Sequence, residues 1–400
     1  MSREEAKDRL RTADWLKSTP LQKLFGVLDG EAGRTRAVGG IVRDTLIGRA
    51  VAGADLDLAT ELVPEEVVVR VERSGFSAHP TGIDHGTVTV TGEGLVAEVT
   101  TLREDISTDG RRATVRFGTD WAQDARRRDF TLNALYAAMD GTLHDPLGGL
   151  ADCVSGQVRF IGDPDERIAE DRLRVFRFFR FSASHGGQRF DAEGLSACRR
   201  AAGSLGRLSA ERVGAEMRRM LSLPRVALTL QAMDAAGVLS IGPEALRWLT
   251  SYEERSERPS LAGRLAILFE AGDPEALRRS WRLSNAETDA ATAIGKAEQL
   301  IADGEDHEAL YRYPDAIGDA IDIGAVRRRW PAEVVDELRR ALAGPARPKL
   351  PIAGGDLVTL GYRPGRALGA ELSRLEREWI HSGFTLDRAA LLARVTPPAG

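Results

Sequence analysis

The stretch Val38-Gly39-Gly40-Ile41-Val42-Arg43-Asp44 joins a predicted strand to a predicted helix. Paired glycines let a backbone approach a phosphate closely, and a helix N-terminus offers free N–H groups and a positive dipole. Arg43 adds a cation to the same turn. The stretch therefore predicts a phosphate-binding turn, although a lone Gly-Gly pair is also typical of a plain connection between a strand and a helix.

Two carboxylates, Asp55 and Asp57, follow about a dozen residues downstream in a second predicted strand. Residues two apart on a strand share a face, roughly 6–7 Å apart. Two like charges on one face need a cation between them, and hard oxygen ligands suit Mg²⁺. Enzymes of nucleotidyl transfer use such carboxylate pairs to hold catalytic metal ions. An isolated Asp-x-Asp is usually a solvated strand face, but the preceding glycine turn favours a catalytic interpretation.

Other charged residues extend this candidate site. Glu98 lies in an apolar strand, where an acid is costly unless it is paired or binds a metal, or else faces outward at an edge. The run 126–129, Arg-Arg-Arg-Asp, can meet a triphosphate or RNA phosphates, or can be a solvated charge run. The run 145–150, Asp-Pro-Leu-Gly-Gly-Leu, suits a functional or a structural turn equally.

A helix is predicted from Glu170 to Phe181. At 100° per residue, Glu170, Arg174, Arg177 and Phe181 lie within about 60° of one another. Asp171 and Arg174 are i, i+3 neighbours that can orient each other. Its phenylalanines indicate burial, so its charges need partners. Those partners are either a structural salt-bridge network or a nucleotide. Residues 199–219 carry six Arg and two Glu, which suits an RNA backbone or an ordinary exposed helix.

The predicted secondary structure changes along the chain. Residues 1–32 have helical periodicity, and the pattern from about residue 163 onward is nearly all helical. Between them, short β-rich runs begin at Arg36, Asp55, Gly86 and Leu95, and residues 92–94, Gly-Glu-Gly, are a hairpin signal between the last two runs. The net charge of −5 argues against non-specific coating of nucleic acid, so any RNA site is a local patch. Cys153 and Cys198 are expected to be buried, inert thiols, which fits a cytoplasmic protein. No secretion signal, membrane span or protein partner is indicated.

Taken together, the ordered motifs between residues 33 and 220 resemble the class II tRNA nucleotidyltransferase and bacterial poly(A) polymerase family, of the polymerase-beta superfamily. A weaker match extends to residues 356–365. The resemblance implies that Asp55 and Asp57 hold Mg²⁺. A third carboxylate would normally complete such a catalytic site, and Glu98 is the candidate for it in this sequence. It also implies a set of nucleotide-binding residues, with Glu170 on the base-selecting helix: Gly40, Arg43, Arg128, Asp171, Arg174, Arg177 and Arg180.

The fold implied is α+β. A nucleotidyltransferase head with a small mixed sheet spans residues 1–150, a helical neck that recognises the base spans 151–222, and a helical body and tail that bind tRNA span 223–400. The implied reaction is the addition of CCA to tRNA from CTP and ATP.

Three features distinguish between members of the family. Residues 80–88 lack the arginine-rich stretch of the poly(A) polymerases, which favours a CCA-adding enzyme. Residues 104–120 look like the flexible loop that CC-only enzymes lack, which favours complete CCA addition. Few histidines follow residue 186, so we expect no C-terminal metal phosphohydrolase domain. A poly(A) polymerase, a partial CC- or A-adding enzyme and an inactive RNA-binding module remain the alternatives.

Overall fold

The computed structural model describes residues 2–49, 55–82, 86–108, 113–342 and 348–397. The chain divides into two compact units, Met1–Ser240 and Ile241–Gly400. The first unit holds all the described strands, and the second is helical. The predicted change from an α/β unit to a helical array is therefore confirmed, whereas the proposed division at residues 150 and 222 stays a prediction.

The strands occupy the first unit between residues 35 and 144. They are β1 Thr35–Val38, β2 Leu56–Thr60, β3 Ser77–Gly82, β4 Thr87–Gly92, β5 Leu95–Thr101, β6 Arg103–Thr108, β7 Ala113–Phe117, β8 Tyr136–Ala137 and β9 Leu143–His144. Seven of them form one sheet in the order β3-β4-β5-β2-β1-β8-β9. Only the pair β2 and β5 is parallel among these neighbours, so the sheet is mixed.

The first unit also contains twelve described α-helices. They are α1 Arg3–Thr12, α2 Asp14–Lys17, α3 Thr19–Val27, α4 Gly40–Leu46, α5 Pro64–Arg73, α6 Trp121–Arg126, α7 Gly149–Ser155, α8 Pro164–Glu170, α9 Arg174–Ser184, α10 Ala192–Ala201, α11 Ala210–Leu221 and α12 Ala227–Ala235. The predicted N-terminal helical region is thus three short helices.

The second unit consists of ten described helices. They are α13 Pro243–Arg255, α14 Leu261–Ala271, α15 Pro274–Trp281, α16 Asn285–Ala302, α17 Asp306–Arg312, α18 Ile317–Arg327, α19 Ala332–Ala341, α20 Gly354–Thr359, α21 Arg366–His381 and α22 Arg388–Leu392. No helix in the described ranges combines the length and the apolar character needed to cross a membrane.

A cluster of aromatic rings packs α9 against the turn that follows α6. The Phe160 and Phe178 rings stack with centroids 5.5 Å apart, and the Phe130 ring lies 5.4 Å from that of Phe181. All four rings are buried. Offset and edge contacts of this kind add about 0.5–1.5 kcal/mol per pair beyond the area that they bury. The phenylalanines of α9 therefore hold its arginines at a fixed position beside the sheet.

The segment that the sequence predicts as a loop, residues 104–120, is instead largely a two-stranded ribbon. Strands β6 and β7 pair antiparallel, with Arg103 opposite Phe117. The tip, residues 109–112, lies outside the described residues. The alternation Ala-Thr-Val-Arg-Phe in β7 is typical of a strand, and the polar character of the segment obscured that signal.

Candidate active site

A cavity of about 700 Å³ lies in the first unit. Every predicted site residue lines it except Glu98 and Glu170. The lining consists of Gly39, Gly40, Ile41, Arg43, Asp44, Asp55, Asp57, Arg128, Asp129, Asn133, Asp171, Arg174, Arg177, Arg180, Phe181 and Arg219. Residues up to 180 positions apart in the sequence, from Gly39 to Arg219, thus face one space that carries both charge signs.

The glycine turn forms one wall of the cavity. Gly39 has φ 74° and ψ −126°, a conformation that side chains with a Cβ rarely adopt, and it directly precedes α4. A Cβ built on Gly39 would lie 3.8 Å from Asp57 Oδ2 and 3.9 Å from Arg128 Nη1. The turn therefore brings the backbone close to the carboxylate pair and to one of the predicted triphosphate ligands.

Replacing Gly39 with alanine should destabilise the fold by about 1–3 kcal/mol, because the residue would keep an unfavourable φ. We also expect KM for the predicted nucleotide to rise about tenfold, the equivalent of roughly 1.4 kcal/mol, because the new methyl group faces the cavity. Gly75→Ala is the matched control, since Gly75 has φ 89° and no atom within 4 Å of a built Cβ. Thermal unfolding and nucleotide titrations measure both effects. Unchanged KM in Gly39→Ala would exclude the turn from the nucleotide site.

The carboxylates stand at the start of β2. Asp55 is exposed, Asp57 is half-buried, and both line the cavity. Asp57 is paired in register with Glu98 on β5. Burial raises the pKa of Asp57 above its usual range, the charges of Glu98 and Asp55 raise it further, and Arg128 opposes them. A group that is crowded by like charges is one that a bound cation would stabilise.

Arg128 also lines the cavity and is held by a buried network. Its Nε and Nη2 donate to Asp124 Oδ2 at 3.2 and 3.1 Å, and the Tyr136 hydroxyl donates to the same oxygen at 2.8 Å. Asp124 is only 1% exposed, so this ion pair is shielded from solvent. Burial would lower the pKa of Arg128, but the charge of Asp124 outweighs it and raises that pKa. Arg128 is a permanent cation aimed at the cavity.

Arg43 is anchored by two neighbours. Its Nε and Nη2 donate to the two oxygens of Asp44 at 2.8 and 2.9 Å, and its Nη1 donates to Asn133 Oδ1 at 2.6 Å. His185 Nε2 lies 3.0 Å from Asp44 Oδ1. Burial would raise the pKa of Asp44, but His185 and Arg43 outweigh it and lower the pKa to about 2. Asp44 therefore stays ionised and fixes the Arg43 guanidinium.

The arginines of α9 are paired with buried acids. Arg177 Nε donates to Asp129 Oδ2 at 2.7 Å, and Arg180 Nε donates to Glu216 Oε2. Glu216 lies on α11, is 3% exposed and also stands 3.7 Å from Arg177 Nη1. The Arg180 guanidinium lies 4.2 Å from the centroid of the Phe181 ring. The structural salt-bridge network, one of the two alternatives from the sequence, is thus present. Its arginines nevertheless line the cavity, so the network does not exclude a nucleotide.

The predicted continuous helix from Glu170 to Phe181 is wrong. Helix α8 ends at Glu170, Asp171 is extended with φ −147° and ψ 105°, and α9 begins at Arg174. Asp171 Oδ1 accepts from the Leu173 N–H at 3.1 Å, which stabilises the break. The predicted pairing of the Asp171 and Arg174 side chains is wrong as well. Arg174 Nη1 donates to Glu170 Oε2 at 2.5 Å, and Asp171 Oδ2 accepts from Arg212.

Several residues of the site were not singled out from the sequence. Asp124, Asn133 and Glu216 orient the arginines, and Arg219 lines the cavity. Glu216 had a signal, an acid within a basic helix, but its partner lies 36 positions away. The turn at Asp145 is structural, because its carboxylate accepts from the N–H groups of Gly149 and Leu150 at 2.8 and 3.0 Å.

Two relatives resemble the chain along most of its length. The mitochondrial CCA tRNA nucleotidyltransferase 1 of Danio rerio is 32% identical over 380 residues, which cover 90% of this chain and 86% of that protein. The CCA-adding enzyme of Limosilactobacillus fermentum is 32% identical over 370 residues, which cover 89% of this chain and 90% of that protein. The chain belongs to the CCA-adding tRNA nucleotidyltransferases.

Domain families and structures of this nucleotidyltransferase family agree with that assignment. Residues 35–159 match the poly A polymerase head domain, and residues 189–249 match the probable RNA and SrmB-binding site of polymerase A. The Bacillus stearothermophilus CCA-adding enzyme, solved in complex with CTP, is 27% identical, with a TM-score of 0.73 over 92% of this chain and 94% of that one. The predicted family and the α+β fold with a polymerase-beta-like head are confirmed.

Nucleotidyltransferases of the polymerase-beta type use a divalent metal. The residues of this cavity are suited to a divalent metal, because Asp55 and Asp57 offer hard oxygen ligands. Burial and the nearby like charges also raise the pKa of Asp57. In the described part of the chain, no three acidic, histidine or cysteine residues are grouped closely enough to enclose an ion. Glu98 does not line the cavity, so its role as a third carboxylate stays a prediction.

Proposed function

We propose that this protein adds C, C and A to the 3′ end of tRNA, using CTP and ATP without a nucleic-acid template. One observation carries the proposal: a single cavity is lined by a carboxylate pair, a glycine turn with arginines, and an acid beside an arginine. These three groups supply catalysis, triphosphate binding and base selection. The names of the relatives support the same activity.

The triphosphate lies against Gly40, Arg43 and Arg128 in this proposal, and Arg177 and Arg180 contribute from α9. Each of these arginines is already oriented by a protein acid, so little side-chain order has to be gained when a nucleotide binds. Guanidinium groups match phosphate oxygens geometrically, and they stabilise the charge that develops on the pyrophosphate.

The reaction is an in-line displacement. The 3′-hydroxyl oxygen of the tRNA attacks the α-phosphorus, its proton is lost, and the bond to the pyrophosphate breaks. Asp55 and Asp57 would hold Mg²⁺, which when bound lowers the pKa of the attacking hydroxyl and stabilises the leaving oxygens. The chain itself contributes position and fixed charge, which are the main protein terms in phosphoryl transfer.

Asp171 and Arg174 take the place of a template strand. A carboxylate only accepts hydrogen bonds and a guanidinium only donates them. Cytosine and adenine present an amino group at the position where uracil and guanine present a carbonyl. Asp171 therefore accepts from CTP and ATP and repels UTP and GTP. Glu170 acts through Arg174, whose Nη1 it binds.

The helical regions bind the tRNA in this proposal. Residues 151–222 act as a neck that faces the base, and residues 223–400 act as a body and tail that hold the rest of the tRNA. We place the protein in the cytoplasm, because Cys153 and Cys198 are free and buried and burial raises the pKa of Cys153 to about 12. Thiols of this kind are inert and fit a reducing compartment.

A single assay tests the proposed function. Purified protein is incubated with tRNA lacking CCA, Mg²⁺ and each radiolabelled nucleotide in turn, and the products are sized on a gel. Growth by three residues, C then C then A, supports the proposal. Arrest after CC, or addition of A alone, identifies a partial enzyme. Unlimited A on any RNA end identifies a poly(A) polymerase, and no product identifies an inactive RNA-binding module.

Removing the middle of the segment 107–118 should spare the addition of C and block the final A. The segment joins the sheet to α6, which leads into Arg128, so it can move the nucleotide-binding wall when adenine replaces cytosine. Product length on tRNA lacking CCA measures the effect. A deleted enzyme that adds A at the normal rate would show that the ribbon is only a connection, and would remove this reason for preferring complete CCA addition.

A further inference from the structure

The carboxylate of Asp171 is held by a residue that does not line the cavity. Arg212 Nη2, on α11, donates to Asp171 Oδ2 at 2.7 Å. Asp171 itself lies between α8 and α9 in extended backbone, where its other oxygen, Oδ1, accepts from the Leu173 N–H at 3.1 Å. Resting on the proposed function, we infer that Arg212 is a positioning residue for specificity: it holds Asp171 in the orientation that accepts from cytosine and adenine and repels uracil and guanine.

Arg174, the other base-selecting residue, does not depend on α11. Its Nη1 donates to the Arg167 carbonyl oxygen at 2.8 Å and to Glu170, and its Nη2 donates to the Arg127 carbonyl oxygen at 3.2 Å. These partners belong to α8 and to the residue that follows α6, and none of them lies on α11. The hydrogen bonds that orient Arg174 thus come from other elements than the bond from Arg212 that orients Asp171.

Helix α11 holds Arg212 in place for its contact with Asp171. The Ser209 side chain caps its N-terminus by accepting from the Arg212 N–H at 3.3 Å. Arg212, Glu216 and Arg219 follow at spacings of four and three residues, so they share one face of the helix. Glu216 is buried against Arg180, and Arg219 lines the cavity. The same face therefore anchors both the acceptor and the arginines of α9.

The hydrogen bonds to Asp171 explain how orientation becomes selectivity. Each carboxylate oxygen has two lone pairs, and the Leu173 N–H and Arg212 occupy one on each oxygen. A remaining lone pair can accept from a base amino group. A carboxylate fixed in this way cannot turn aside from the carbonyl of UTP, and so the wrong base leaves polar groups unpaired. Without Arg212 the carboxylate keeps the hydrogen bond from the Leu173 N–H on Oδ1 but loses its partner on Oδ2, so it turns more easily and the penalty falls.

The test compares Arg212→Met with wild-type protein on tRNA lacking CCA. We expect the ratio of kcat/KM for CTP to that for UTP to fall about tenfold, the scale expected for one charge-assisted hydrogen bond. The tRNA Kd should change by less than about twofold, because the contact is internal to the protein. Arg212→Lys keeps the charge and should recover part of the ratio.

Arg70→Met is the matched control. Arg70 also binds a carboxylate at 2.7 Å, and its side chain is 31% exposed, against 38% for Arg212. Arg70 does not line the cavity, so its replacement should leave the ratio unchanged.

Each other outcome overturns the inference. An unchanged ratio with weaker tRNA binding would assign Arg212 to an RNA phosphate instead. An unchanged ratio with only a lower Tm would make the contact purely structural. Arg212→Gln, which retains a polar donor, provides the measurement if Arg212→Met does not fold. If the wild-type protein adds no nucleotide, the proposed function itself fails and this inference falls with it, whereas failure of Arg212 alone leaves wild-type CCA addition intact.

Discussion

Replacing Asp57 with alanine should abolish the addition of both C and A, lowering kcat by at least about a thousandfold. Metal-assisted stabilisation of a phosphoryl transition state amounts to several kcal/mol, and each 1.36 kcal/mol is a factor of ten. Both nucleotides share one carboxylate pair in the proposed mechanism, so both activities should disappear together. Incorporation of labelled CTP and ATP measures the rates, and tRNA affinity should remain largely intact.

The stability of the Asp57 variants separates a catalytic role from a structural one. The raised pKa of Asp57 means that its ionised form disfavours the folded state at neutral pH. Asp57→Asn should therefore leave Tm unchanged or slightly higher while activity is lost. Asp8→Asn serves as the control, because Asp8 is an exposed carboxylate of α1 whose side chain is 68% exposed. Substantial activity in Asp57→Ala would refute the assignment of Asp55 and Asp57.

Replacing Asp171 with alanine should relax the choice of base by about a hundredfold or more. Sites built to hydrogen-bond a substrate group discriminate by roughly 10⁴-fold, and removing the acceptor removes much of that penalty. Misincorporation of UTP and GTP should rise, while KM for the triphosphate changes less, because Arg43 and Arg128 are untouched. Arg174→Ala should behave similarly through loss of the donor. Single-nucleotide kinetics with all four triphosphates measure the selectivity.

A helix cap near Asp171 provides the control for this experiment. Asp163 accepts from the N–H groups of Asp165 and Glu166 at 2.8 and 3.2 Å and begins α8. Its replacement by alanine should cost about 1 kcal/mol of stability without any change in base choice. If Asp171→Ala gives the same pattern, with lower stability and normal selectivity, the break between α8 and α9 is structural only and base selection lies elsewhere.

Local signals predicted the parts of the fold that depend on neighbouring residues. The glycine turn, the alternation around Asp57 and the hairpin at residues 92–94 all lie within short stretches. Glu93 and Gly94 have φ values of 52° and 79°, as a two-residue hairpin turn of type I′ requires. Strand β3 was missed because it contains Pro80, which disfavours strands, and the structure places β3 at the sheet edge, where proline is tolerated.

The remaining features of the site depend on contacts between distant residues. The helical period of α9 extends backwards in the sequence through Glu170, so periodicity alone predicts one helix. The break at Asp171 is stabilised partly by Arg212, 41 residues later. In the same way, Arg177 is oriented by Asp129 and Arg180 by Glu216, at separations of 48 and 36 residues. A sequence pattern shows which residues are charged, but only the fold determines their partners.

The cavity lining extends to Arg219, which has a consequence for biosynthesis. Chains emerge from the ribosome N-terminus first, so the glycine turn and the carboxylate pair are available long before α11. Until α11 arrives, Arg180 lacks the acid that neutralises it and Asp171 lacks its guanidinium partner. The cavity is therefore left with one uncompensated charge of each sign, on Arg180 and on Asp171, and its ion pairs are completed only when this helix docks.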